Sequence, residues 1–348
     1  MKLMPLLTTL RKGHLEKCPQ TIAIDNLKQQ SLTFGDMHGN AIKLIYLLIE
    51  NGVMNLNESN YNHLNEIYKK QPHLLTPNDL EKFDSILHQA RFHECGLIRL
   101  IGDELADRGN NDLFTLYILR VLHHHNIPFE IILSNHGIVA LYKFDQNDEE
   151  RKRCIIGVPG FSMQISADNM WACLSKDNFE HIKKDALSIA NHIYKPHLRL
   201  IGYHIASEQY GKQELTLFTH APIGLETVRA LAEQLGIPYE DDSIEHLVNC
   251  INKMNEKISQ LIALNQLRTL YNPEITSSGP FHQIFWARQL PFNFTLKPQG
   301  HFVVNVVHGH VGPDHLETYH ENLTNLDGYY GKGPTLSKGY YFVLIQTV

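Results

Sequence analysis

Residues 99–111 read RLIGDELADRGNN. An apolar run gives way at Gly102 to two aspartates, a glutamate and an arginine. A short apolar run that ends this way reads as a buried strand delivering polar groups at its carboxyl end. Alone, the stretch is an ordinary charged turn. Its meaning depends on whether other strands end alike.

Several do. SLTFGDMHGN (31–40) sets Asp36 and His38 after an apolar run, and FEIILSNHG (129–137) sets Asn135 and His136. LTLFTHA (215–221) ends on His220, and FVVNVVHGH (302–310) ends on His308 and His310. TIAI (21–24), LRLIGYHI (198–205) and YYFVLIQTV (340–348) read as further strands. Helical patterns follow two of the runs, AIKLIYLLIENG (41–52) and NDLFTLYILRVLHHH (111–125). Strand–helix alternation implies an α/β fold. Ligands in such folds sit beyond the carboxyl ends of the strands, where these polar residues fall.

Two stretches read as helical insertions. Residues 54–92 contain Thr76-Pro77-Asn78-Asp79, a helix start with Thr as N-cap, Pro in the first helical position and an acid in the first turn. A second insertion spans about 224–272. Within it Ile244, Leu247, Ile251, Met254, Ile258 and Leu261 recur at helical spacing. Both are expected to pack as caps on a single domain covering 1–348, and a protein partner could dock on them. His123-His124-His125 reads as a solvated helix end.

A net charge of −6 gives no general reason to expect nucleic-acid binding. The five cysteines, at 18, 95, 154, 173 and 250, form no CxxC pair, which points to a reducing, cytoplasmic setting. The opening MKLMPLLTTLRKG has an apolar stretch too short for a signal peptide, and no run reaches membrane-spanning length, so a soluble chain is expected.

The strand ends together hold carboxylates, imidazoles and a side-chain amide. That mixed oxygen and nitrogen set suits manganese, iron or zinc rather than calcium. No cysteine lies in these motifs, which argues against a structural zinc site. In Asp36-Met37-His38, residues two apart share a strand face and can reach one ion. Two metals ~3.5–4 Å apart generate hydroxide near neutral pH and clamp a phosphoryl group.

The ordered series GDMHG, GDELADRG, SNHG, THAP and HGHV resembles the metal-dependent phosphoprotein phosphatases of the calcineurin-like phosphoesterase superfamily. Their pattern runs G-D-x-H-G, G-D-x-V-D-R-G, G-N-H-E, a histidine before small residues, and a late G-H. The likeness spans residues 31–312, and TNLDGYYGKG (324–333) is similar to the family's ending. It implies an α/β fold of the calcineurin-like kind, a β-sandwich flanked by helices. It implies two divalent metals, manganese favoured. Asp36, His38 and Asp103 would hold the first; Asp103, Asn135, His220 and His310 the second. His136 would protonate the leaving oxygen, with Asp107 orienting it. Arg108 would grip phosphate, and Arg288, after Trp286, would be the second phosphate arginine, or otherwise an ordinary surface residue. The implied reaction is hydrolysis of a phosphoprotein, phosphoserine and phosphothreonine favoured, by direct attack of a metal-bridging hydroxide.

Four departures stand out. The second motif has one residue more than usual between Asp103 and Asp107, so its turn must bulge yet still deliver Asp107 and Arg108. Gly137 stands where the family has glutamate, and Ser134 where it has glycine. The eukaryotic tyrosine motif is missing, with Tyr329 or Tyr330 as stand-ins. The first two aspartates are widely separated, because residues 54–92 lie between them. Glu104 is expected to face solvent, and His308 competes with His310 for the last ligand position. Insertions beside a modified second motif resemble the Wip-type phosphatase effectors of Legionella, which would place the chain in a host cell.

The alternatives are a phosphotyrosine phosphatase using the same site, a dinucleoside polyphosphate hydrolase, and a phosphatase fold that scaffolds without activity. No Cys-x5-Arg loop and no Walker loop is present, which excludes a cysteine-based phosphatase and disfavours a P-loop enzyme.

Overall fold

The apolar runs that end in polar motifs become parallel neighbours in two sheets. The fold is that of a computed structural model describing residues 8–146, 164–209, 212–272, 277–312, 320–333 and 337–348. In chain order the strands are β1 (Thr8–His14), β2 (Gln30–Phe34), β3 (Met54–Asn55), β4 (Arg91–Phe92), β5 (Leu97–Leu100), β6 (Phe129–Ile132), β7 (Leu198–Arg199), β8 (Gly202–Gln209), β9 (Lys212–Phe218), β10 (Val303–His308), β11 (Leu323–Asn325) and β12 (Lys338–Thr347). The first sheet has the order β1-β12-β2-β5-β6-β7 and the second β11-β10-β9-β8. β2, β5, β6 and β7 run parallel, as do β9, β10 and β11. Parallel strands end on the same side, so the motifs after β2, β5 and β6 share one edge, and those after β9 and β10 share another.

An apolar cluster joins the two sheets. Ile101, Ile132 and Leu344 from the first meet Phe218, Val307 and Leu326 from the second, all buried. Arg99 of β5 is buried with them. Its guanidinium lies 3.6 Å over the Phe218 ring, and its Nε donates to Glu130 at 2.5 Å. Stacking on an aromatic face and pairing in the guanidinium plane satisfy a buried arginine from both directions.

Among the described residues, the α-helices longer than four residues are α1 (Ala41–Glu50), α2 (Glu58–Tyr68), α3 (Pro77–Gln89), α4 (Asp112–His124), α5 (Asn135–Asp145), α6 (Ile165–Leu174), α7 (Glu180–Ile189), α8 (Leu225–Gln234), α9 (Ile244–Ala263) and α10 (Pro280–Trp286). The first insertion is α2 and α3, closed at its base by the β3·β4 pair. Thr76 caps α3 through a reciprocal capping box with Asp79. The second insertion is built on α8 and α9, and α9 buries Leu247, Ile251, Met254, Ile258 and Ile262. The His123–His125 run is exposed at the end of α4. Among the described residues, no helix is long and apolar enough to cross a membrane, and Cys18, Cys95, Cys173 and Cys250 are free. Cys154 lies outside the described residues.

Two expected strands come out differently, and strands β1 and β11 appear that were not expected. TIAI (21–24) is not a strand. It is held against the end of α1 instead, where the Ile22 N–H donates to the Glu50 carbonyl at 2.7 Å. The sheet position it lacks is filled by β1, a half-exposed edge strand whose TTLRKGH has no apolar run to betray it. LRLIGYHI breaks into β7 and β8 in different sheets. At the break the Leu200 and Ile201 amides donate to Asn255 Oδ1 of α9, at 2.9 and 3.2 Å. LTN (323–325) forms β11, which the sequence pattern did not suggest.

Candidate active site

The site begins with strained backbone. His38, Asp103, Ala106 and His310 have φ of 58°, 52°, 55° and 64°. Side-chain-bearing residues rarely adopt this left-handed region, which costs ~1–2 kcal/mol per residue. Such strain clusters at functional sites because the surrounding structure must enforce it. Here the loops are stitched together. Gly39 N–H donates to the Asp103 carbonyl at 2.7 Å, and Met37 N–H to the Gly102 carbonyl at 3.1 Å. A side chain at Gly309 would lie 1.8 Å from Asp36 Oδ1, and one at Gly109 1.6 Å from the Gly39 carbonyl, so both positions require glycine.

The six residues proposed as metal ligands converge. Asp36, His38 and Asp103 each offer an atom within 4.8 Å of the others, and all three are buried. Asp36 accepts the His310 backbone N–H at 3.0 Å. On the other side of Asp103, His220 Nε2 lies 2.8 Å from Asn135 Oδ1 and 3.4 Å from Asp103 Oδ1. His220 Nδ1 is 3.0 Å from the Ile101 carbonyl. A carbonyl only accepts, so Nδ1 carries the proton and Nε2 presents its lone pair to Asp103 and Asn135, the usual arrangement of a metal-ligating histidine. The His310 ring centroid is 4.9 Å from that of His220. Asp103 Oδ1 and His310 Nε2 are buried without a hydrogen-bond partner. Buried polar atoms are ordinarily satisfied, and a cation between them would satisfy both. Burial, then Asp327 and Asp103, push Asp36 well above the usual carboxylate range. This donor set fits divalent metal.

The histidines divide by environment. Burial holds His220 and His310 below the ordinary histidine value, in the neutral form that binds metal. His136 shifts the other way: burial opposes its charge, but Asp107 and Asp103 outweigh burial and raise it. A raised histidine is a proton donor near neutral pH.

The extra residue of the second motif is accommodated as a bulge. Ala106 N–H donates to Asp112 Oδ2 at 2.9 Å, and the Ala106 carbonyl lies 2.5 Å from His136 Nδ1. Asp107 is still delivered to the site. Its Oδ1 is 3.6 Å from His136 Nε2, and its Oδ2 is 3.2 Å from His38 Nδ1. Arg108 donates to Asp107 Oδ1 at 2.7 Å from a part-exposed position. Arg288 is exposed and close enough to His310 to depress it, while the Trp286 ring stands edge-on to His310 at 6.3 Å. Asp107 faces His136 at Nε2, while the Ala106 carbonyl holds its Nδ1.

Other expectations are corrected. Glu104 does not face solvent. It is fully buried, accepts the Tyr194 hydroxyl at 2.5 Å on Oε1, and is pushed up to about 8 by burial. Tyr330 is buried against the Tyr341 ring at 5.0 Å, in the core rather than at the site, whereas Tyr329 is exposed and borders Gly312. Of the two candidates for the last ligand, His310, the one favoured by the motif, is the one that faces His220, while His308 is buried with Nδ1 2.8 Å from the Gly309 carbonyl.

Sequence reasoning missed three participants. Asp327 follows β11 and lies with Oδ1 3.5 Å from His38 Nε2, without a hydrogen-bond partner. Its one signal was its place in TNLDGYYGKG, since the short strand before it has no apolar run to mark it. Lys43, in the first turn of α1, donates from Nζ to the Asp36 carbonyl at 2.5 Å. Ser166 of α6 grips Asp107 by accepting its N–H at 3.1 Å and donating its own N–H to the Asp107 carbonyl at 2.9 Å. Neither carries a motif.

Residues 97–332, about two thirds of the chain, match the family described as WipA-like, phosphatase domain. The fold is similar to the crystal structure of the phosphatase domain from the Legionella effector WipB, with a TM-score of 0.68 and 27% identity, covering 80% of this chain and 98% of that one. No curated protein matches. The strand ends that gather carboxylates and histidines thus sit on a phosphatase framework, and the chain belongs to the WipA-like phosphatase domain family.

Proposed function

We propose that this phosphatase is a two-metal phosphoprotein phosphatase of calcineurin-like design, acting on phosphoserine and phosphothreonine. One observation carries the reading: six ligand-type side chains from five strand ends meet at a buried site where Asp103 Oδ1 and His310 Nε2 lack partners. Asp36, His38 and Asp103 would hold one ion, and Asp103, Asn135, His220 and His310 the other. Manganese suits the mixed oxygen and nitrogen set, with iron or zinc as alternatives. When bound, such ions supply a nucleophile near neutral pH and neutralise phosphoryl charge.

The chain's own groups do the rest. Arg108 and Arg288 hold phosphate oxygens, and the planar fork of Arg108 is pre-set by its bond to Asp107. His136 has one ring nitrogen occupied by the Ala106 carbonyl. Its Nε2, beside Asp107, gives a proton to the leaving alkoxide. Asp107 serves three partners, His38, His136 and Arg108, so it ties metal holding, proton donation and phosphate binding to one carboxylate. Likeness to an effector domain supports action inside a host cell, with the helical insertions available to a protein partner.

The test is a panel of phosphoserine, phosphothreonine and phosphotyrosine peptides with manganese, together with metal analysis of the untreated protein. Chelator-sensitive turnover of the first two is expected. Turnover confined to phosphotyrosine would replace the substrate assignment, and no metal-dependent turnover on any would end the reading.

A further inference from the structure

The two odd features of the second and third motifs meet in space. Gly137 is the third residue of α5, whose N-cap is Ser134. A helix capped by serine commonly carries glutamate or glutamine at that third position, reaching back to close a capping box. Glycine cannot do this. Yet the space beside Gly137 is not empty. A Cβ there would lie 3.4 Å from the Tyr194 hydroxyl and 3.6 Å from Glu104 Oε1. Those two groups are bonded to each other at 2.5 Å, and both residues are fully buried.

The surroundings join this pair to the site. Ser134 Oγ accepts the N–H of Gly137 at 2.9 Å and of Asp103 at 3.0 Å. One hydroxyl therefore fixes the first turn of α5, which carries Asn135 and His136, to the loop that carries Asp103. Glu104 follows Asp103 directly. Tyr194 closes a π-helical turn over Ala190–Tyr194, a local irregularity of the kind often found at functional sites.

We infer that Glu104, held by Tyr194, is the positioning carboxyl group of the α5 N-terminus, supplied from the second motif to the place where a side chain at position 137 would otherwise reach. Gly137 and Glu104 are thus one solution written at two positions. The bulge at Ala106 lets the loop between Asp103 and Asp107 turn Glu104 inward while still returning Asp107 and Arg108 to the site. Glu104 and Tyr194 act through Asn135, His136 and Asp103, and neither is a catalytic residue. The inference rests on the phosphatase reading of the site.

The experiment is a double-mutant cycle on the full chain with an aryl phosphate and manganese, using Glu104→Ala, Gly137→Glu and the double variant. Each is followed by kcat, KM, manganese affinity and thermal melting. Glu104→Ala is expected to lower kcat or manganese affinity roughly tenfold to a hundredfold, as loss of groups supporting metal ligands does, with KM little changed. Gly137→Glu alone is expected to impair activity, because the new side chain meets the Glu104–Tyr194 pair. In the Glu104→Ala background the same change is expected to restore activity several-fold. A double variant no better than Glu104→Ala, or a folded Glu104→Ala with wild-type kcat and manganese affinity, overturns the inference. If Glu104→Ala does not fold, Tyr194→Phe and Glu104→Gln decide: native melting with undiminished kcat and metal affinity in both also overturns it. An inactive wild type would instead count against the phosphatase mechanism itself.

Discussion

His136 and Ala106 are joined by a ring-to-backbone contact, Nδ1 to carbonyl oxygen at 2.5 Å. Because the carbonyl accepts, Nδ1 carries one proton, and in the charged ring that Asp107 favours the second, transferable proton sits on Nε2. The residue making this contact is in the stretch that is one longer than the phosphoprotein phosphatase motif it resembles. The bulge therefore does more than absorb length: it fixes the ring orientation of the proposed acid through Nδ1 and leaves Nε2 for the proton transfer.

Replacing His136 with alanine is expected to lower kcat about 10²–10⁴-fold, the usual reach of general acid catalysis, with metal content unchanged. The defect should shrink as the leaving group becomes more acidic, since an acidic phenol needs little help to depart. Rates across a series of alkyl and aryl phosphates check this. A uniform defect across the series would remove His136 from proton donation.

Ala106 has φ of 55° and its N–H is held by the buried Asp112 carboxylate. Ala106→Gly relieves the left-handed strain and is expected to leave stability unchanged or raise it by about 1 kcal/mol. Asp112→Ala leaves the Ala106 N–H unpartnered and is expected to lower stability by about 1–3 kcal/mol. Denaturant unfolding of both variants gives the comparison, and a destabilised Ala106→Gly would contradict the bulge geometry.

Four buried carboxylates, Asp36, Asp103, Asp107 and Asp327, crowd one site. A cation binding only the folded chain stabilises it by about 2.7 kcal/mol at a hundred times its Kd. Chelation is therefore expected to lower the melting temperature and abolish turnover, and manganese to restore both. Asp327→Asn is expected to weaken manganese binding roughly tenfold to a hundredfold through His38. Melting that ignores chelator and manganese alike would count against metal at this site.

At the start of α9, His246 Nδ1 lies 2.6 Å from Asp242 Oδ1 on the exposed surface. The hydrogen bond to Asp242 raises His246, and the same bond lowers Asp242. His246's contribution is full below its unfolded value and is lost as pH rises through its raised value. Asp242's is present above its unfolded value and is lost as pH falls through its lowered one. The pair thus acts in the window between. NMR titration should show His246 above its ordinary value and returning to it in Asp242→Asn; no change on that substitution would dissolve the pair.

The sequence alone carried the parts governed by local rules. An apolar run followed by a polar cluster marks a buried strand and its end, so Asp36, Asp103, Asn135, His220 and His310 were legible, as was the Thr76 cap of α3. Strand β1 was not, because a half-exposed edge strand shows no apolar run. Nor was the break between β7 and β8, since the group that ends the ladder, Asn255, comes from a helix more than fifty residues away. Glu104 shows the limit most clearly. A glutamate in a turn between aspartates looks like a solvent-facing charge, and only the packing of α5 and Tyr194 around it makes it a buried partner. Sequence settles which side chains are available and on which strand ends. Tertiary structure alone decides which of them face each other, because burial and pairing depend on neighbours distant in the chain.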